Sequence, residues 1–210
     1  MMSLRHLLRE IGEMYEYQYL VGGVLSICVS MHILIKRPRT LALKSLSAFG
    51  FVVSLWEFSD YIAERAPDAI TAASYFRIVI LTSHLGFPLY LLTVLAIRHE
   101  IDKKIILLIS TPAIVQTAAI FYHYFDSYEF FLAEFGWSYR VVGFQLPLVI
   151  SGVIFVSYLV AIFAVLLSLT KKATLPMLKR KYAILLISFA CFQAIGTTLT
   201  NALLAFDVID

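Results

Sequence analysis

Hydrophobic residues fall along this chain in long, nearly unbroken runs, separated by short clusters of charge and proline. The runs cover about residues 17–35, 41–63, 70–97, 105–122, 144–169 and 182–206. At about 1.5 Å of rise per residue, runs of this length cross roughly 30 Å of hydrocarbon as single α-helices. The breaks between them are chemically distinct. Lys36-Arg37-Pro38-Arg39 ends the first run, Glu64-Arg65-Ala66-Pro67-Asp68 the second and Arg98-His99-Glu100 the third; proline cannot continue a helix, and Asp68 and Asp102 are placed to cap the third and fourth. Pro112 should kink the fourth span. Ahead of the first run, Leu4, Leu7, Leu8, Ile11 and Met14 share one helical face over residues 1–14, the pattern of a short interfacial helix or of a lead-in to the span itself. The longest connection, 123–143, is dense in aromatic residues and reads as an interfacial belt or as a lid over the bundle. The expected fold is all-α: one domain over 1–210, a polytopic membrane bundle of six transmembrane helices.

Composition supports this and narrows the function classes. The 210 residues are 60% hydrophobic and only 15% charged, with a mean hydropathy of +0.85, outside the range of soluble domains. Net charge is +3, but the basic residues sit in short turns rather than on one face, so they report orientation and not nucleic-acid binding. The turns at 36–44, 98–104 and 171–181 hold four, three and five Lys or Arg, twelve of the seventeen in the chain. That bias puts these turns in the cytoplasm and the N-terminus outside the cell membrane, and six crossings return the C-terminus to the outside. Cys28 and Cys191 lie singly within runs and read as packing residues, with no spacing for a metal or disulfide framework. No cofactor is expected.

Candidate chemistry lies in the few ionisable groups inside the runs. Glu57 and Asp60, three residues apart on one face of the second span, and Arg77, seven residues into the third, share an outer depth. A charge in lipid is costly unless it faces the bundle and finds a partner, so an ion pair from Arg77 to Glu57 or Asp60 is expected, as a helix lock or as part of a ligand site. His84, one turn before Pro88, is placed to bond a carbonyl freed by the proline or to act as a proton-sensitive switch. Gln116 on the fourth span and Asn201 on the sixth, near Thr197, Thr198 and Thr200, add polar groups at outer depth, for inter-helix hydrogen bonds or a pocket open to the exterior. No lysine lies deep in a span to form a retinal Schiff base, and no phosphate-binding glycine loop, zinc-protease motif or nucleophilic triad spacing occurs. The chain is not read as an enzyme.

Leu55-Trp56-Glu57-Phe58, Tyr75-Phe76-Arg77, Pro88 and the run to Arg98, Gly143-Phe144-Gln145-Leu146-Pro147, Tyr158, Lys179-Arg180-Lys181 and Asn201 together resemble the N-terminal membrane region of sensor histidine kinases with seven transmembrane helices. The resemblance implies an outside N-terminus and a sensory role in which an external or membrane-borne ligand shifts the helices. In that family a seventh helix leads into a cytoplasmic signalling domain, whereas this sequence stops after the sixth, so the resemblance implies a truncated or separated sensor module, whose signalling would require a membrane partner or a homo-oligomer. The expected function is therefore a sensory or ligand-binding module in contact with membrane lipid, with Glu57, Asp60, Arg77, Gln116 and Asn201 framing an outward-facing site. A small substrate-binding subunit of a transporter, with Arg77 holding an anion or the two acids a cation, and a membrane assembly scaffold using small residues such as Gly50 and Ser54, are the alternatives.

Overall fold

A computed structural model describes residues 4–36, 40–97, 101–133, 136–142 and 146–191. It contains six helices, α1 (Leu4–Ile35), α2 (Leu41–Glu64), α3 (Ala69–Ala96), α4 (Lys103–Ser127), α5 (Leu146–Lys172) and α6 (Pro176–Cys191), and a two-stranded hairpin, β1 (Tyr128–Ala133) and β2 (Gly136–Val141). Among the described residues four stretches are long and apolar enough to cross a membrane: Tyr17–Ile35, Leu41–Glu64, Ala69–Ala96 and Val149–Lys172. The expected fourth span falls within α4, and the expected sixth begins in α6 and runs past the described residues.

Helix starts follow the chemistry read from the sequence. Thr40 Oγ1 accepts from Leu43 N at 3.4 Å, Asp68 Oδ1 from Thr71 N at 2.8 Å and Asp102 Oδ1 from Lys104 N at 3.4 Å, each satisfying an otherwise orphaned backbone donor. Its own cap draws the Asp68 carboxyl below its ordinary range, chiefly through the Thr71 backbone bond. At the N-terminus, α1 runs without a break from Leu4 into the first span, so that of the two readings for this segment the lead-in describes the helix from Leu4 onward. The one weak helix former there is Gly12, whose cost of about 1 kcal/mol is too small to end a helix of this length.

Packing is antiparallel and close. Between α1 and α2, Ser47 Oγ donates to Ser30 O at 3.1 Å, Gly23 lies against the Phe58 ring, and Gly50 faces Ser30 so tightly that a Cβ there would overlap the Ser30 hydroxyl. Between α2 and α3, Gly86 accommodates Phe49 and Val52, Phe49 meets Tyr90 at a ring distance of 5.2 Å, and the Thr93 and Ser45 hydroxyls approach to 3.0 Å. Small residues let the backbones approach, which in lipid replaces the hydrophobic drive available in water. Their hydroxyls cost little, because Ser30, Ser45, Ser54, Thr82 and Thr93 each donate to a carbonyl of their own helix.

The aromatic connection 123–143 contains a β-hairpin that the hydrophobic pattern did not predict. α4 continues to Ser127, and the chain then folds back in register, with Tyr128 opposite Val141 and Ala133 opposite Gly136. Alternation along the strands sends Tyr128, Phe130, Trp137 and Tyr139 inward against the cluster of Ala63, Ala66, Ala72, Ala73, Phe76 and Ile80, while Glu129 and Arg140 form an exposed ion pair at 2.9 Å on the other face. Gly136 is required at its place: its φ is 127°, and an added Cβ would collide with the backbone carbonyl of Glu64.

By its internal contacts the chain divides into residues 1–155 and 156–210. In the second unit α5 and α6 meet through Phe163 and Phe189, whose ring centroids lie 5.2 Å apart.

Candidate functional site

Two carboxylates on an apolar helix define the first polar locus. Glu57 and Asp60 lie one turn apart on α2, partly buried on the side that meets α1. Glu57 is set against Gly22, where an added Cβ would stand 3.4 Å from its carboxyl carbon; the glycine gives the carboxylate room beside the α1 backbone. Asp60 accepts a hydrogen bond from the Tyr19 side chain, one turn back along α1. Neither carboxylate pairs with a basic side chain among the described residues. Tyr19 was not anticipated as a site residue. Its signal was available, since the antiparallel register that sets Gly22 against Glu57 brings residue 19 level with residue 60.

The hairpin covers the end of the bundle nearest these acids. Phe76 of α3 stacks on Phe130 at 6.1 Å and takes Tyr139 edge-on at 5.0 Å, Tyr128 and Tyr139 pack at 5.5 Å, and Trp137 Nε1 donates to Ala66 O at 2.8 Å across the α2–α3 turn. Burial pushes the Tyr128 phenol up to about 12; burial, the negative charge of Asp60 and Tyr128 together push Tyr139 upward as well. The Asp60 charge therefore reaches the inner face of the hairpin. The hairpin thus packs its inner aromatic face over the α2–α3 end.

Arg77 does not form the ion pair expected of it. Its Nη2 donates to Phe121 O on α4 at 2.8 Å, and its guanidinium carbon lies 3.5 Å from the centre of the Phe121 ring. The direction is not the one expected. Phe76 occupies the inward face of α3, and the next residue along a helix points about 100° away, which turns Arg77 toward α4. The α2 acids, for their part, face α1.

A third locus joins α3, α4 and α5. His84 Nδ1 lies 2.6 Å from Ile80 O and Nε2 2.9 Å from Ser151 Oγ, while Gln116 Nε2 donates to Ser151 Oγ at 2.7 Å and to Ser151 O at 2.9 Å. His84 thus bonds the carbonyl of Ile80, four residues back, and not the one that Pro88 leaves without a helical donor, which is its own. Gln116 and Ser151 are both buried. The polar residues expected to converge on one pocket instead occupy three interfaces; Asn201, with Thr197, Thr198 and Thr200, lies outside the described residues. No protein-family model matches the chain, and neither a curated protein nor a solved structure matches it.

Proposed function

We propose that this chain is a six-span sensory or ligand-binding module of the cell membrane, with its N-terminus outside, that recognises a positively charged group at Glu57 and Asp60. The observation carrying this reading is the carboxylate pair itself: two acids inside an apolar helix, beneath an aromatic hairpin, with no basic side chain beside them among the described residues. An unpaired charge in such a place must be neutralised or bind a cation. Two carboxylates and the Tyr19 hydroxyl are few ligands for a bare divalent metal, which takes six or more oxygens or keeps its waters. They suit an ammonium group, whose donors match carboxylate oxygens and whose substituents pack against aromatic faces. The residues shared with the sensor regions of histidine kinases, Glu57 among them, support a sensory output, delivered by helix rearrangement to a membrane partner.

Ligand binding would draw α1 and α2 together and shift the population of helix arrangements, as any ligand with unequal affinity for two states must. Titration of the protein in lipid nanodiscs with alkylammonium ions and polyamines tests this, read by the fluorescence of Trp56 and Trp137, the two tryptophans packed in the hairpin cluster. A saturable change that disappears in the Glu57→Gln, Asp60→Asn double variant is expected. A change that survives in the double variant, or none with any of these ions, would sink the reading.

A further inference from the structure

Three helices meet at the Ser151 hydroxyl, and the hydrogen bonds of the imidazole beside it close only one way for a neutral ring. Gln116 carries the donors of its two contacts, so its amide points at Ser151 Oγ and Ser151 O. The Ser151 hydroxyl proton is then free to go to His84 Nε2, 2.9 Å away. His84 Nδ1–H in turn donates to Ile80 O at 2.6 Å. Every donor in the chain from α4 through α5 to α3 has an acceptor.

We propose that His84 is a proton-operated tie between α3 and α5. Neutral, it receives the Ser151 proton and holds the two helices at the turn next to the edge-on contact of Phe87 with Phe155, ring centroids 4.6 Å apart. Protonated, it presents N–H at both nitrogens. Ser151 Oγ then faces two donors, Nε2–H and the Gln116 amide, and its own proton loses its acceptor in the triad. The ring also gains a positive charge that none of its neighbours offsets. From α5 the group bonded to it is Ser151, which is bonded in turn to Gln116 of α4, and from its own helix Ser83, none of which carries charge. Ionisable groups along α3 and α2 have contacts of their own: Arg77 with Phe121, Tyr90 with Phe49, and Glu57 with Gly22. The charged ring is stabilised by admitting water between α3 and α5, a step left open by its only partial burial. The tie needs no ligand at Glu57 or Asp60, so failure of cation binding leaves it standing.

The test uses the full chain in nanodiscs, with Cys28 and Cys191 replaced by serine and spin labels at Ile70→Cys and Leu146→Cys, two exposed positions at the starts of α3 and α5. Between about pH 8 and pH 5, the range in which histidine charges, the distance distribution should move in a single step. Ser151→Ala should show the low-pH distribution at both ends of the range. His84→Gln, whose side-chain oxygen can still accept from Ser151 and which does not titrate, should keep the high-pH distribution throughout. Nitrogen-15 NMR of the imidazole should show the proton on Nδ1 alone at the upper pH. An unchanged distance in the parent protein, or a step that persists in His84→Gln, overturns the proposal. Should His84→Gln fail to fold, a Ser151→Ala protein that steps with pH as the parent does overturns it equally.

Discussion

At the scale of single residues, the packing of α1 on α2 turns on Gly50. Its missing side chain leaves room for the Ser30 hydroxyl, and the Ser26 carbonyl would stand only 3.1 Å from an added Cβ. Backbone cannot retreat as a flexible side chain can, so a branched residue there must push the helices apart. Gly50→Val should cost about 1–3 kcal/mol, the usual range for overpacking, measured by reversible unfolding in mixed micelles. Gly22→Ala is the control: its nearest neighbour, the Glu57 carboxyl carbon, would be 3.4 Å away, an ordinary contact. Equal stability for the two variants would show that Gly50 does not set the α1–α2 approach. The same scale explains what could be read of the polar groups beforehand. Depth follows from counting residues along a helix, and Asp60 and Arg77 are indeed close to level. Direction does not follow, because one residue of offset turns a side chain by about 100°, enough to send Arg77 to α4 while Glu57 and Asp60 face α1. Ser151 was missed as a partner of His84 because nothing in the spacing of two distant spans reveals which turns of them meet.

At the scale of elements, the helices were legible and the hairpin was not. Long apolar runs bounded by charge and proline admit one structure in lipid, since only a helix satisfies its own backbone there. The segment 128–141 also carries a period-two signal, Tyr-Glu-Phe before the turn and Trp-Ser-Tyr-Arg after it. Phe131 on the outer face and Leu132, largely exposed, blur the alternation, and dense aromatics at a membrane edge have a simpler reading as a belt. What ties the hairpin down is measurable by pH. Tyr128 and Tyr139 have phenols whose pKa values are raised on folding, the first to about 12, because burial favours the neutral form. A raised acid contributes its stability fully below the ordinary tyrosine value of about 10 and loses it as pH rises through the raised values. The hairpin should therefore loosen from α2 and α3 above about pH 10, seen as a red shift of Trp137 fluorescence coincident with tyrosinate absorbance. Tyr139→Phe keeps the ring on Phe76 and removes one titrating group, so its transition should be shallower. Two tyrosines that ionise in the ordinary range, with Trp137 still shielded, would contradict the buried placement of the inner face.

At the scale of the whole molecule, the direction of the bundle decides which side of the membrane the carboxylate pair addresses. The proposed orientation would put the turns at 36–44, 98–104 and 171–181 in the cytoplasm, since translocating a short basic loop is unfavourable and twelve of seventeen Lys and Arg lie in them. The α2–α3 turn and the hairpin that covers it would then lie outside, with Glu57 and Asp60 one to two turns below. Everything proposed about an external ligand depends on that direction, and cysteine accessibility can read it without reference to function. With Cys28 and Cys191 replaced by serine, Ser138→Cys on the hairpin should react with a membrane-impermeant maleimide in intact cells, and Thr174→Cys between α5 and α6 only after the membrane is opened. This pair spans a single crossing, α5, so the two positions must give opposite answers whichever way the bundle is inserted. Reversal of both would turn the acids toward the cytoplasm and replace an external cation with an internal one. Reaction of both from the same side would mean that α5, the longest apolar stretch of its half of the chain, does not cross at all. The six-span count would then fall with it, whereas the α1–α2 packing and the His84 tie, which depend on contacts between neighbouring helices, would have to be judged by their own measurements.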